Sequence, residues 1–386
     1  MTKRFFHIPL FLFGFFYYLL VPAICVAAKL LDNYPGMQNL YAYYKEEYAF
    51  GYFSIVLLLC FFFLIGAYVP RWYYDESKHD ATVTKLLAYK TEYLFYVSLP
   101  FLLICHYLMV ANRGSMFQGY MVETNNSFVG TIASTAMIYL FLFLYNKNGI
   151  YSKKMDIVLL FFLIELSVVM LGVGTRMYFL VLLIAVFVYL LDNKVVSIKK
   201  LSIWAVAGFL LILLVGIWRL DNMGVSLDNV IYIGIAEPAF TWISAISMYD
   251  MNELPLFSFP SNFISSFINF IPSVLLPNKT GLLTDVSLKY DNPLGALSVF
   301  TSLISDFGII GSFIAIFMLG YLISYIRLYW RSVFGQTYYY CICGIIPFQL
   351  FRDPFYVVNK AFFSNFLLLP IVIFILLKLV RGVYKG

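Results

Sequence analysis

Charged residues are scarce in this sequence. Asp, Glu, Lys and Arg make up 12% of its 386 residues, whereas a soluble domain carries about 25%. So few charges cannot cover a globular surface in water, which excludes a water-soluble enzyme. Hydrophobic residues make up 62% of the chain and aromatic residues 20%, too many for a disordered or fibrous protein. The composition therefore indicates a protein whose main solvent is lipid.

Cysteines and cofactor motifs are also few. The five cysteines lie inside apolar runs, at Cys25, Cys60, Cys105, Cys341 and Cys343. Five is an odd number for a disulfide framework, and none of the spacings is that of a zinc site, so we predict small buried side chains. The sequence has no Walker A motif, no dinucleotide-binding glycine fingerprint and no His-Glu-x-x-His. We therefore expect neither a cofactor nor a metal.

Long apolar runs dominate the sequence instead. A membrane-spanning helix needs about 20 mostly apolar residues. Candidate spans lie at about 8–29, 50–69, 94–111, 127–145, 155–173, 176–192, 201–218, 298–323, 338–352 and 361–381. The sequence therefore predicts an all-α polytopic membrane protein with about ten transmembrane helices.

The basic residues predict the orientation of these helices. If the N-terminus lies in the cytoplasm, most of the 26 Lys and Arg residues fall in the cytoplasmic segments between the spans. This is the positive-inside bias, and it predicts that both termini are cytoplasmic. The same bias accounts for the net charge of +6 without a nucleic-acid partner.

One segment, residues 219–297, interrupts the series of spans. It is too polar to cross a membrane and too apolar to be a flexible tether, because Phe, Trp, Ile and Tyr are mixed with Ser, Asn and several prolines. Such a composition suits short helices at the membrane interface. We therefore predict a seven-helix bundle over 1–218, a long periplasmic loop over 219–297 and a three-helix segment over 298–386.

Three arginines, Arg176, Arg219 and Arg352, lie at predicted external ends of helices, where the positive-inside bias does not place them. Guanidinium groups bind phosphate oxygens bidentately and stay charged, so the three could converge around one anion. Alternatively, each anchors its own helix end by extending its charge to the membrane surface.

Few acidic residues lie in or near the spans. Glu165 lies within the fifth span, where a carboxylate is either functional or paired with a neighbouring helix. His106, in the third span, is more typical of a structural imidazole. At or beyond the external helix ends, the acidic candidates for chemistry are Glu237, Asp306 and Asp291.

A series of short motifs gives a more specific indication. The turn GVGTR at 172–176 opens an apolar span, and the long loop contains FIPSVLLPNK at 270–279. SDFGIIG at 305–311 and FRD at 351–353 follow. In this order the motifs resemble those of the Wzy-type O-antigen and capsule repeat-unit polymerases. The predicted order of spans and loops resembles that of these polymerases over most of the chain. The individual residues that resemble theirs are concentrated in the first motif, 172–176, and in 270–355.

The resemblance implies a substrate and a reaction. The substrate would be an undecaprenyl-pyrophosphate-linked oligosaccharide at the periplasmic face of the bacterial inner membrane. The glycan on one carrier would be transferred to the non-reducing end of another unit. Membrane lipid and a Wzz-like chain-length regulator are then the expected partners, and nucleic acid is not. The alternatives are a flippase for the same lipid-linked oligosaccharide and an O-antigen ligase.

The resemblance also suggests roles for the candidate residues. The departing pyrophosphate needs positive charge, which the three external arginines are expected to supply. The acceptor hydroxyl needs a carboxylate base, for which we expect Glu237 first, Asp306 second and Asp291 third. Aromatic side chains of the long loop suit stacking on sugar faces, although such residues also gather at membrane interfaces. Those expected to bind sugar are Trp242, Phe240 and Tyr249.

Overall fold

The protein is helical throughout the part of the chain that the structure, a computed structural model, describes. These residues are 4–31, 41, 43–74, 89–117, 126–219, 227–247, 254–271, 276 and 297–383. Within them all regular structure is helical, which confirms the predicted all-α class. Seven of the helices in these ranges are long and apolar enough to cross a membrane, and shorter apolar helices accompany them. The chain is therefore a multi-pass membrane protein.

Thirteen helices are numbered here in chain order within the described ranges. They are α1 (His7–Ala27), α2 (Glu46–Trp72), α3 (Thr91–Ala111), α4 (Asn126–Asn148), α5 (Lys153–Val173), α6 (Arg176–Asp192), α7 (Ile198–Arg219), α8 (Leu227–Ser247), α9 (Ser261–Ser265), α10 (Val299–Tyr329), α11 (Val333–Ile345), α12 (Gln349–Arg352) and α13, which runs through Phe355–Asn359, Lys360–Leu368 and Leu369–Val383. The seven candidate spans are α1 to α5, α10 and α13.

The remaining predicted spans have two outcomes. Helices α6 and α7 occur at their predicted positions, with 17 and 22 residues. The predicted span at 338–352 is instead divided into α11 and α12. Pro347 explains the division, because proline has no N–H for a helical hydrogen bond and disfavours the helical conformation of the residue before it.

Two spans contain a π-helical segment that ends two residues before a proline. In α1 this segment is Phe16–Leu20, and Pro22 follows it. In α13 it is Lys360–Leu368, and Pro370 follows it. Proline offers no N–H to the carbonyl four residues earlier, whereas π-helical pairing lets a carbonyl reach the N–H five residues ahead. The prolines therefore widen these helices locally and do not end them.

The chain divides into two compact units. The first comprises Met1–Asp75, Gly224–Leu328 and Ile345–Lys360, and the second comprises Glu76–Met223, Tyr329–Gly344 and Ala361–Gly386. Helices α1, α2, α8, α9, α10 and α12 thus belong to the first unit. The division into a seven-helix bundle, a periplasmic loop and a three-helix segment stays a prediction.

Helix α8, which lies within the predicted periplasmic loop, forms part of the core of the first unit. It packs against α1 and α2. Ala239, Ile243 and Ile246 are fully buried in this packing. Burial of an apolar helix face against two other helices fixes the direction of the polar side chains that the same helix carries.

Helix α10 is broken at Gly308. This glycine has φ 75° and ψ −179°, a conformation that other residues rarely adopt. The N–H groups that the break releases find partners in the loop before α9, because Ile309 donates to the carbonyl of Pro255 at 3.1 Å and Ile310 donates to that of Leu256 at 3.0 Å. The SDFGIIG motif therefore marks a helix break to which the loop is fastened.

In the second unit, the turn between α5 and α6 forms as the sequence predicts. Gly174 ends α5 with a left-handed backbone (φ 86°), and the Thr175 N–H donates to the carbonyl of Met170 at 2.8 Å. This is the usual glycine-based closure of a helix C-terminus, and it places Arg176 at the start of α6. Elsewhere in both units the five cysteines are buried free thiols, which confirms that prediction.

Candidate functional site

Arg352 is the centre of an ion-pair cluster in the first unit. Its Nε donates a hydrogen bond to Oε1 of Glu237, and its Nη1 donates to Oδ1 of Asp353 at 2.7 Å. The sequence suggests Arg352 as an anion ligand and Glu237 as a base. The two residues are 115 positions apart in the chain. The structure brings these two candidates into direct contact.

The backbone before Pro354 explains how two adjacent residues can pair. Helix α12 ends at Arg352, whose N–H donates to the carbonyl of Phe348 at 3.0 Å. Asp353 then adopts an extended backbone, with φ −102° and ψ 147°, because a residue that precedes proline is disfavoured in the helical region. This change of direction allows the carboxylate of Asp353 to meet the guanidinium of Arg352.

The cluster contains two carboxylates and one guanidinium. The Asp353 side chain is 9% exposed, whereas those of Arg352 and Glu237 are 35% and 32% exposed. Burial raises the pKa of Asp353, although Arg352 opposes this shift. Burial lowers the pKa of Arg352, but Asp353 and Glu237 outweigh it, so this pKa lies above its usual range. Arg352 therefore stays charged, and Glu237 is the accessible carboxylate.

A small cavity lies in the first unit beside α8. The hydroxyl-bearing side chains that line it are Tyr18, Tyr52, Thr241 and Ser298. The Tyr52 hydroxyl also shares a hydrogen bond of 3.0 Å with Oγ1 of Thr301. Phe351, which directly precedes Arg352, also lines the cavity, and the Thr241 hydroxyl donates to the backbone carbonyl of Glu237 at 3.1 Å. The cavity and the charged cluster are therefore neighbours, and together they offer hydroxyl groups, one accessible carboxylate and a fixed cation.

The aromatic residues predicted to bind sugar have different environments. Trp242 lines the cavity but is only 3% exposed. Its ring lies 5.6 Å from that of Tyr52 and 6.2 Å from that of Phe53. Phe240 is half-buried, and Tyr249 lies outside the described residues. Sugar stacking stays a prediction for all three, and for Trp242 it requires that the ring become more exposed.

The other two predicted bases are placed differently from Glu237. Asp306 lies on α10, two residues before the break at Gly308, and is 4% exposed. It is not a partner of Arg352 in this structure. Asp291 lies outside the described residues. Glu237, in contrast, is in direct contact with a predicted arginine, Arg352.

The other two predicted phosphate ligands are at helix ends, as the sequence suggests. Arg176 is the first residue of α6 and is half-buried in the second unit. Arg219 is the last residue of α7, and its side chain lies outside the described part of the chain. Convergence of these arginines with Arg352 stays a prediction.

Asp353 is a member of the cluster that the sequence reasoning did not select. The signal for it is the proline that follows, because an Arg-Asp-Pro sequence at a helix end turns the acidic side chain away from the helix. Nothing in the sequence distinguishes Tyr18 and Tyr52 from other tyrosines, because the pattern of an apolar span does not show which of its tyrosines face a cavity. Among the described residues no three His, Cys, Asp or Glu side chains are grouped to hold a metal ion.

The second unit contains an acid–base pair of its own. Nε2 of His106 lies 2.8 Å from Oε1 of Glu165, and Nδ1 of His106 lies 2.8 Å from the carbonyl oxygen of Leu102. A carbonyl only accepts, so Nδ1 is the donor. The pair joins α3 to α5. Of the two interpretations of Glu165, pairing with a neighbouring helix is the one that the structure shows.

Comparison with known protein families gives a match over most of the chain. The family described as O-antigen polysaccharide polymerase Wzy matches residues 2–284. No curated protein and no solved structure matches the chain. The matched region includes Glu237 and two of the three predicted arginines, whereas Asp306 and Arg352 lie beyond it. Because the match covers most of the 386 residues, the chain belongs to the O-antigen polysaccharide polymerase Wzy family.

Proposed function

We propose that this chain joins undecaprenyl-pyrophosphate-linked oligosaccharide repeat units at the periplasmic face of the bacterial inner membrane. The family match supports polymerisation of lipid-linked repeat units in general. The observation that supports a chemical site is the contact of Glu237 with Arg352 beside a cavity that four hydroxyl-bearing and five hydrophobic side chains line. A Wzz-like chain-length regulator is the proposed protein partner.

The proposed reaction is a glycosyl transfer between two carriers. A hydroxyl at the non-reducing end of one unit attacks the anomeric carbon of the glycan on the other carrier. A carbon–oxygen bond forms there, the bond to the pyrophosphate oxygen breaks, and the lipid pyrophosphate leaves with the bonding electrons. The proton of the acceptor hydroxyl passes to a base. The energy for the step is already present in the glycosyl–pyrophosphate bond, so the reaction uses no nucleotide.

Glu237 is the proposed base. Its carboxylate is the accessible one of the cluster, and Arg352 holds one of its oxygens. This leaves the second carboxylate oxygen to accept the proton of a bound hydroxyl. Asp306 and Asp291 are the alternative bases, but Asp306 is almost fully buried.

Arg352 is the proposed link between the base and the leaving group. A guanidinium has five N–H donors, and two of its nitrogens contact Glu237 and Asp353. The remaining donors suit a phosphate oxygen. We propose that Arg176 and Arg219 supply further positive charge, since Arg352 already contacts two carboxylates and the pyrophosphate leaving group is itself anionic.

The orientation is part of the proposal. The distribution of Lys and Arg favours cytoplasmic termini, which would put the start of α6 and the end of α12 on the periplasmic side. Reporter fusions after Arg176 and after Asp353 would test this, because a cytoplasmic position for either would contradict the proposed site.

Substitution of two glutamates, Glu237 and Glu165, tests the proposed base. Replacement of the proposed base, Glu237→Gln, is expected to lower the transfer rate by about a hundredfold or more, so the surface polysaccharide would consist of single repeat units. Glu165→Gln, matched in chemistry and placed on α5 of the second unit, is expected to keep a full polymer ladder on a gel at equal protein level. A full ladder from Glu237→Gln would reject the proposed base.

The same gel separates the two alternative functions. Loss of a flippase would leave no repeat unit on the surface, and loss of a ligase would leave polymer that is not attached to lipid A core. Either pattern after deletion of the gene, in place of single attached units, would contradict a polymerase.

A further inference from the structure

Pro238 leaves one carbonyl of α8 without its helical partner. In a regular helix the carbonyl of Gly234 would accept the N–H of residue 238, but proline has no N–H and its ring pushes that carbonyl outward. Helix α8 nevertheless continues from Leu227 to Ser247. A carbonyl inside a membrane protein needs a donor from elsewhere, and Glu237 is the residue directly before this defect.

The Tyr17 hydroxyl supplies that donor. It donates to the carbonyl of Gly234 at 2.5 Å. Tyr17 lies in the π-helical segment of α1, Phe16–Leu20, which is itself set by Pro22. One proline in α1 therefore widens the turn that carries Tyr17, and another proline in α8 exposes the carbonyl that Tyr17 binds.

The ring of Tyr17 touches the second element of the cluster. Its centroid lies 6.0 Å from that of Phe348, with the rings close to perpendicular, an arrangement that aromatic pairs prefer. Phe348 directly precedes α12, and its carbonyl accepts the N–H of Arg352, the last residue of that helix, at 3.0 Å. The same side chain thus contacts the helix that carries Glu237 and the residue from which the helix that carries Arg352 begins.

We propose that Tyr17 is a positioning residue that holds Glu237 in register with Arg352, by replacing the hydrogen bond that Pro238 removes from α8. This inference rests on the proposed function, because it assigns Tyr17 to the base of that reaction. Tyr17 itself takes no part in proton transfer. A base displaced by about 1 Å commonly loses one to two orders of magnitude in rate.

The two residues give the proposal a test by paired substitution. Tyr17→Phe removes the hydroxyl and keeps the ring against Phe348. Pro238→Ala restores the backbone N–H that can pair with Gly234, so the hydroxyl is no longer needed. We expect Tyr17→Phe to lower kcat about tenfold or more in the wild-type background, with KM nearly unchanged, and to lower it less than about twofold in the Pro238→Ala background.

The measurement is the initial rate of polymer formation by purified protein in liposomes, with lipid-linked repeat units extracted from the producing bacterium after deletion of this gene. Melting temperatures of all variants are measured beside the rates. Tyr338→Phe is the matched control, because the Tyr338 hydroxyl donates to the backbone carbonyl of Phe362 at 3.0 Å in the second unit. It is expected to lower the melting temperature without an effect on kcat.

The outcomes separate this inference from the function on which it rests. Equal effects of Tyr17→Phe in both backgrounds, or no effect in the wild-type background, would overturn the positioning role. A fall in kcat for Tyr338→Phe that matches that for Tyr17→Phe would also overturn it, since any lost hydrogen bond would then suffice. Unchanged transfer by Glu237→Gln would instead reject the proposed base and leave the contact of Tyr17 purely structural.

Discussion

The two units each contain a glutamate paired with a basic side chain, but the helices around the two pairs differ. Glu165 and Glu237 are about equally exposed, at 31% and 32%, and so are their partners His106 and Arg352, at 37% and 35%. In the second unit, Glu165 lies on a helix without proline and His106 lies on one whose Pro100 precedes it by more than a turn. In the first unit, Glu237 directly precedes a proline inside α8.

This difference shows that burial and pairing do not by themselves identify the site. The second unit pairs one carboxylate, that of Glu165, with one imidazole, that of His106, across a contact of 2.8 Å. The Arg352 cluster has one carboxylate more than it has cations. Irregular helices and unbalanced charge are both costly in a membrane, so their coincidence around Glu237 favours function there.

The greatest loss of activity is expected from Arg352→Ala, which removes the basic partner of Glu237. It removes the cation that contacts two carboxylates, those of Glu237 and Asp353, and the Asp353 side chain is only 9% exposed. We expect the transfer rate to fall by about a hundredfold or more, because an electrostatic group at the site is lost. The liposome polymerisation assay measures it.

The pH dependence of the melting temperature provides the control for the Arg352→Ala variant. Burial already raises the pKa of Asp353, and Arg352 opposes that shift, so loss of Arg352 raises the pKa further. A raised pKa in the folded state means that ionisation of Asp353 costs stability as the pH rises. The melting temperature of Arg352→Ala should therefore approach that of the wild type as the pH falls. A gap that widens at acidic pH would contradict this account of the cluster.

The sequence predicted the class of fold and the residues at the centre of the site, but not their arrangement. Apolar runs of about 20 residues are a strong signal, so spans such as α2 and α5 were found. Glu237 and Arg352 were found because charge is rare in this chain. Their contact was not, because it depends on the burial of α8, a helix whose polar residues suggest an external loop.

The irregularities of the helices could not be predicted from the order of residues in the sequence. A proline in an apolar run can end a helix, as Pro347 does after α11, or be absorbed, as Pro22 and Pro238 are in α1 and α8. Whether a proline ends the helix or lies within it depends on whether a neighbouring side chain donates a hydrogen bond to the carbonyl that the proline leaves without its helical partner. Tyr17 is such a neighbour for α8, and its distance in sequence hides it.

A smaller effect, on stability, is expected from Gly308→Ala. This substitution tests whether the break in α10 requires a glycine. A Cβ at this position would lie 2.6 Å from the carbonyl oxygen of Pro255, and the backbone has φ 75°. Such a conformation costs about 1–3 kcal/mol for a residue other than glycine. We therefore expect a lower melting temperature in detergent.

The matched control for that substitution is Gly114→Ala in the second unit. A Cβ at Gly114 meets no atom within 4 Å, so its melting temperature should stay close to that of the wild type. Equal melting temperatures for the two variants would show that the loop at Pro255 yields easily, and that the break in α10 is not held in place by this contact.

Substitutions in the His106–Glu165 pair of the second unit are expected to affect polymerisation least. His106→Ala leaves Glu165 without its partner, which should lower the melting temperature because an unpaired carboxylate in an apolar region is costly. The double variant His106→Ala/Glu165→Leu removes the charge as well, so it should be more stable than His106→Ala. Polymer ladders should be full in both. A loss of polymer at normal protein level in the double variant would mean that the second pair takes part in the reaction, and helix irregularity would then no longer distinguish the functional glutamate from the structural one.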